Sequence, residues 1–166
     1  MTIKGSLFSF LLLTTNSLLA QEKFLTQHHF IPGISYNSYY DKKDNSKHTS
    51  YGIDLSYGLV RTKPKSYPPN YTFWVTGGFN HIPTVNSTVY YFEGGFWYFL
   101  NVGLGKSISD NRKEFSHFYI FTGLPIPIYS IHDSPAFIEP YGRFSLDNNE
   151  SRIDNYGLLL KYVFLH

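Results

Sequence analysis

The chain has 166 residues, enough for one domain, and its 14 Lys and Arg against 12 Asp and Glu are scattered, so no basic stripe argues for a nucleic-acid partner. It contains no cysteine, which excludes a disulfide framework, a thiolate metal site, a Cys nucleophile and a lipid-modified N-terminal Cys. Aromatic residues make up 19%, with 15 Tyr and 15 Phe, and this favours strands and interfacial belts over helices.

Residues 1–20 read as a signal peptide. Lys4 supplies the positive region, Leu7 to Leu13 the apolar core, and Ser17-Leu-Leu-Ala20 a cleavage site that leaves a mature domain of residues 21–166. The apolar run is shorter than the ~20 residues a membrane helix needs, and nothing after Ala20 resembles such a helix. An exported chain of this kind meets a membrane, if it does, with strands.

The mature sequence alternates between strand-like segments and polar turns. From Gln27 to Tyr40, Phe30, Ile34 and Tyr36 share one face, ahead of a polar run from Asp41 to His48. Tyr51, Ile53, Leu55, Tyr57 and Leu59 then alternate with Gly52, Asp54, Ser56, Gly58 and Val60, with an aromatic near each end of the apolar face, as an interfacial girdle requires. Pro64, Pro68 and Pro69 mark a loop. A third strand carries Phe73, Val75 and Phe79 on one face, and Pro83 to Ser87 is a short turn. Between Thr88 and Ile108, Tyr90, Phe92, Phe96, Tyr98, Leu100, Val102 and Leu104 keep one parity. Since a membrane crossing needs about 9 to 11 residues, two strands are expected, joined near Phe99 to Asn101 by a three-residue turn or bulge that preserves the parity.

Ser109 to Glu114 is a charged loop, Phe115 to Leu124 a sixth strand broken by Pro125 and Pro127, and Ile126 to Pro135 either a connecting segment or, if Thr88 to Ile108 is one long strand, the partner that keeps the count at eight. Phe137 to Leu146 sends Ile138, Phe144 and Leu146 one way and Glu139, Tyr141, Arg143 and Ser145 the other; Asp147 to Arg152 is a polar loop. The last strand, from Ile153, places Tyr156, Leu158, Leu160, Tyr162 and Phe164 opposite Asn155, Gly157 and Lys161. The expected fold is all-β: a closed, antiparallel, eight-stranded up-and-down transmembrane barrel, with both chain ends at the periplasmic side and Asp41 to Lys47, Pro83 to Ser87, Ser109 to Glu114 and Asp147 to Arg152 outside the cell. Its lipid-facing girdle would include Tyr51, Tyr57, Tyr156, Tyr162 and Phe164. Its interior would receive Asp54, Glu93, Glu139, Arg143 and Lys161 as a paired polar network, because charges withdrawn from water must be paired. No catalytic residue, metal site or cofactor is expected, since the seven His residues lack metal spacing and His28 and His29 point to opposite faces.

Gly123-Leu-Pro-Ile-Pro127, Phe137-Ile-Glu-Pro-Tyr-Gly-Arg143 and Tyr156-Gly-Leu-Leu-Leu-Lys-Tyr162 resemble segments of uncharacterised small outer-membrane β-barrel proteins from Bacteroidetes-type bacteria. The resemblance implies a Gram-negative outer-membrane location, with membrane lipid and the barrel-assembly machinery as partners, and supplies no catalytic residues. The ending departs from the aromatic terminus of many such barrels, because Phe164 is followed by Leu165 and His166. The function expected is structural, or surface interaction through the outer loops with a protein partner the sequence does not name. Two other readings stay open. One is a lipid-A-modifying barrel enzyme, although His81 precedes Ile82-Pro83, His117 precedes Phe118-Tyr119, and neither matches the His-x-Ser-Asn pattern of the deacylases. The other is a secreted lipocalin-like barrel, for which the sequons at Asn70, Asn86 and Asn149 would count if the source were eukaryotic.

Overall fold

The computed structural model describes residues 25–43, 45–62, 71–97, 99–131, 134–146 and 153–165; the predicted signal peptide and the expected loop from Asp147 to Arg152 lie outside them. Ten strands form: β1 (Leu25–Asp41), β2 (Ser46–Thr62), β3 (Tyr71–Ile82), β4 (Ser87–Trp97), β5 (Asn101–Ser109), β6 (Phe118–Gly123), β7 (Ile126–Ile131), β8 (Ser134–Ser145), β9 (Ile153–Tyr162) and β10 (Phe164–Leu165). Short 3-10 turns at Pro83–Val85 and Lys113–Phe115 are the helical content of the described residues. Every pairing is antiparallel, and the sheet closes because β9 bonds to both β8 and β1.

The ten strands make eight staves. β7 prolongs β6, since Gly123 faces Tyr141 and Ile126 faces Ile138 in one register along β8; the ladder shifts register at a bulge between Pro127 and Tyr129 and lapses at Leu124 and Pro125. There Pro125 has no amide hydrogen to donate, while the Leu124 amide still reaches the Pro140 carbonyl at 3.0 Å. β10 likewise prolongs β9, because Gly33 faces Lys161 and His29 faces Leu165; the lapse falls beside Pro32, which has no N–H. Ile126 to Ile131 is therefore wall and not a connecting segment, because β7 stays paired with β8 past both prolines, at the cost of a lapse at Pro125 and a bulge after Pro127.

Two boundaries also differ from expectation. Asp41 and residues 46–48 of the polar run after Tyr40 are strand, with Asp41 already opposite Ser46, and Asn45 takes the left-handed conformation that Asn tolerates. Phe115 belongs to the 3-10 turn, and β6 starts at Phe118. The stretch from Thr88 to Ile108 is two strands, and Trp97 facing Asn101 leaves a three-residue connection.

Following register partners round the barrel from His29 passes Gly58, Trp74, Gly95, Gly103, Phe121, Arg143 and Asn155 and returns to β1 at Tyr39, ten residues beyond the start. That stagger over eight staves sets a strand tilt of about 41°, a backbone radius of about 8 Å and a rise along the axis of about 2.5 Å per residue. It also fixes which residues share a height. On the outer face, Tyr36, Tyr51, Phe79, Tyr90, Phe92, Phe118, Phe144 and Tyr156 fall at one level near the outer-loop end, and Phe30, Tyr57, Phe73, Phe96, Tyr162 and Phe164 near the end where β1 begins. The outward residues between them, including Ile34, Ile53, Leu55, Val75, Val102, Leu104, Leu158, Leu160, Gly77, Gly94 and Gly142, contain no aromatic ring. The whole apolar band is about 25 Å tall.

Burial is inverted relative to a water-soluble barrel. Most large apolar side chains of the band are exposed, among them Tyr36 at 65% and Leu158 at 52%, while Asp54, Glu93, Glu139, Arg143 and Lys161 are buried inside. The interior carries an apolar cap at the outer end, where Tyr39, Ile82, Val89, Phe115 and Ile153 pack together, and a mixed aromatic and polar layer below it.

Candidate functional site

The chemistry-bearing side chains converge in the lumen, so the lumen is the candidate site. Because interior positions alternate with outward ones, Glu93 on β4 and Arg143 on β8 both face inward, and the stagger brings them to nearly the same height from opposite walls. Arg143 donates from Nε to Glu93 Oε2 at 2.8 Å and from Nη2 to Oε1 at 3.0 Å, a bidentate pair, and from Nη1 to the Tyr141 hydroxyl at 3.2 Å. Tyr119 donates its hydroxyl to Glu93 Oε2 at 2.9 Å. The guanidinium lies 4.0 Å from the Tyr91 ring centroid and 4.6 Å from that of Tyr141, so a cage of tyrosines holds the cation.

Two cross-strand glycines make room for that cage. Gly78 faces Tyr91 and Gly105 faces Tyr119, and a Cβ on Gly105 would sit 2.5 Å from the Tyr119 ring. The tyrosines can lie flat across the neighbouring strand only because no side chain stands there.

Lower in the lumen Lys161 Nζ approaches Glu139 Oε2 at 3.0 Å, and Asn101 donates to Glu139 Oε1. Asp54 stands apart from both pairs: it receives the Tyr91 hydroxyl at 3.3 Å on Oδ2, while its Oδ1 has no hydrogen-bond partner. Above the cage, Asn155 donates to Asn37 Oδ1 at 2.8 Å, Asn37 to Asn80 Oδ1 at 3.2 Å and Asn80 to the Tyr39 hydroxyl at 3.0 Å, closing a belt under the apolar cap. Thus all five charged residues singled out in the sequence are interior, four of them in two pairs. The tyrosine cage, the asparagine belt and the Phe115 plug carry no charge and gave no signal beyond strand parity. Of the girdle residues, Tyr51, Tyr156 and Phe164 are exposed on the outer face, whereas Tyr57 and Tyr162 are partly covered, Tyr57 by Phe30 and Tyr162 by Phe164.

The histidines do not build a catalytic set among the described residues. His48 Nε2 contacts Ser46 Oγ at 3.2 Å, but its Nδ1 faces the Thr84 hydroxyl at 2.9 Å where a nucleophile-activating triad places a carboxylate. Glu139, which could have served a neighbouring His as a proton-transfer partner, is held by Lys161 and Asn101 instead. No group of three metal-binding side chains occurs among the described residues. Compared with known protein families and with characterised proteins, the chain matches none.

Proposed function

We propose that this chain is a small outer-membrane β-barrel of a Gram-negative bacterium, exported by residues 1–20 and inserted by the barrel-assembly machinery, with its apolar band against lipid. Its role is structural, or surface interaction through the turns at the outer end, and its lumen is neither a wide pore nor an active site. The observation that carries the reading is the outer face: a band about 25 Å tall, aromatic at both rims and aliphatic between, matching the height and girdles of a transmembrane barrel. In water such a surface would far exceed the few hundred Å² of contiguous apolar area that soluble monomers expose. Lys106 is the one charged side chain among the described outward residues of the band; it sits at the upper aromatic level, with its ammonium 4.9 Å from the Phe118 ring centroid. No described helix is long and apolar enough to cross a membrane.

A lipocalin-like barrel would need the opposite arrangement, with apolar side chains lining the cavity and Asp54 and Lys161 in water. A lipid-A-modifying enzyme would need an acid on His48, where Thr84 stands. A conducting pore would need a continuous wet lumen, but the Arg143 cage and the Phe115 cap fill it. The test is expression of the full chain followed by membrane fractionation. The reading expects the mature protein in the outer-membrane fraction with heat-modifiable electrophoretic migration and no ion conductance in planar bilayers. A water-soluble monomer would overturn it.

A further inference from the structure

The barrel closes along the seam between β1 and the stave made by β9 and β10, and that seam is zipped unevenly. Above Pro32 it holds nine register pairs, from Gly33 with Lys161 to Asp41 with Ile153. Below, toward the end where β1 begins, it holds two, Phe30 with Phe164 and His29 with Leu165, and Ile31 and Pro32 are paired with neither β9 nor β10. On its other side β1 is paired to β2 without a gap from Leu25 to Asp41, and β9 is paired to β8 without a gap from Asn155 to Tyr162. The gap therefore belongs to the seam and to neither strand, and Pro32 has no N–H to give across it. A groove of about 310 Å³ lies over the gap on the outer face, walled by Pro32, Ile34, Ala136, Leu160 and Tyr162. On the lumen side Gly33 has no side chain to thicken the wall; a Cβ there would sit 2.5 Å from Asp54 Oδ1 and 3.1 Å from Lys161 Cγ. At this point a single layer of backbone separates the groove from the pair that Lys161 makes with Glu139 at 3.0 Å.

We propose that the lower part of this seam is a lateral gate, which unzips from the end where β1 begins up to Gly33 and opens the lower lumen to the groove. Segments held by few paired backbone groups open at lower free energy than the rest of a fold. Opening this one breaks two register pairs, whereas unzipping farther enters the run of nine, so Gly33 and Lys161 set where it stops. The groove wall is apolar, but what the gate uncovers is charged: Lys161 with Glu139, and Asp54 beside the Lys161 stem. The closed gate keeps these groups from the outer face, and the open gate presents them near the lower aromatic level, to which Tyr162 belongs. That the space outside is lipid rests on the membrane reading; that the seam opens rests on the strand pairing alone, so the two fail separately.

The experiment measures hydrogen exchange of the ¹⁵N-labelled full chain folded in detergent micelles. The amides of Val163, Phe164 and Leu165, and those of β1 below Gly33 that turn toward the seam, should exchange at least ~10-fold faster than the amides of residues 153–161. The alternate amides of β1, which bond to β2, are the internal control and should stay slow. Pro32→Ala restores a donor opposite Tyr162 and should slow the fast set, whereas Pro140→Ala, in β8, should leave it unchanged. If Pro32→Ala does not fold, Phe30→Cys combined with Phe164→Cys ties the gate shut on oxidation, and should slow the same amides relative to the reduced form. Two results would overturn the proposal: exchange as slow below Pro32 as above it, or exchange that rises evenly toward the strand ends and ignores both the restored donor and the cross-link.

Discussion

Replacing Arg143 by Met removes the guanidinium but keeps an unbranched apolar stem in the tyrosine cage. Glu93 is then left nearly fully buried, with the Tyr119 hydroxyl as its remaining donor among the bonds described above. Breaking a buried pair from one side costs about 3–5 kcal/mol because the remaining charge is uncompensated, and loss of the contacts to the Tyr91 and Tyr141 rings adds about 1 kcal/mol. The expected total is near the whole stability of a marginal domain, about 5 kcal/mol. The double variant Glu93→Gln with Arg143→Met has no orphaned charge, and should recover to within about 2 kcal/mol of the parent. The assay is urea unfolding of the barrel in lipid vesicles, following Trp74 and Trp97 fluorescence for all four members of the cycle. A coupling energy of at least ~2 kcal/mol is expected. If Arg143→Met unfolds within 1 kcal/mol of the parent, or if the two substitutions simply add, the pair does not hold the interior together.

Gly105→Ala drives a Cβ to 2.5 Å from the Tyr119 ring and should cost about 1–3 kcal/mol through overpacking in the same unfolding assay, whereas Gly77→Ala, with nothing within 4 Å of its Cβ, should be nearly silent. Phe115→Ala empties the centre of the apolar cap, where its ring meets Tyr39 edge-on at 5.3 Å; it should cost about 3–5 kcal/mol and increase hydrogen exchange at the outer ends of the strands. Asp110 accepts the Thr88 amide at 2.9 Å and the Ser87 hydroxyl at 2.8 Å, and these bonds hold its carboxyl below the usual carboxylate range. A depressed folded-state value means the contribution is complete above the unfolded value of about 3.9 and is lost as pH falls through the lower folded value. Thr88 amide exchange should therefore accelerate, relative to neighbouring amides, below about pH 4 in the parent, and Asp110→Asn should remove that dependence.

Period-two patterning made the faces legible, because each residue of a strand commits its neighbours two places away. That suffices to send Glu93, Arg143 and Leu158 to the correct sides, and to infer a three-residue connection from unbroken parity, expected near Phe99 to Asn101 and found one residue earlier, between Trp97 and Asn101. Partnership across the lumen was not legible. Glu93 and Arg143 lie fifty residues apart on opposite walls, and they meet because of the ten-residue stagger, which depends on every register at once. The same stagger sorts the outward aromatics into two rims, which no single strand reveals. Pro125 and Pro127 misled the reading of residues 126–131, because proline removes one ladder bond without ending a strand whose other partners are in place. Phe115 shares the apolar character of a strand residue, and only the turn at Lys113–Phe115 folds its ring into the mouth.

The central claim, that the outward band faces hydrocarbon, is tested most directly by a depth series of lysine substitutions on the outer face, with unfolding free energy measured in lipid vesicles. Leu55→Lys and Leu158→Lys, at the aliphatic middle, should each cost about 2–4 kcal/mol, while Thr88→Lys, beyond the upper aromatic rim, should cost about 0–1 kcal/mol. A flat profile, with Leu158→Lys as stable as Thr88→Lys, would contradict it.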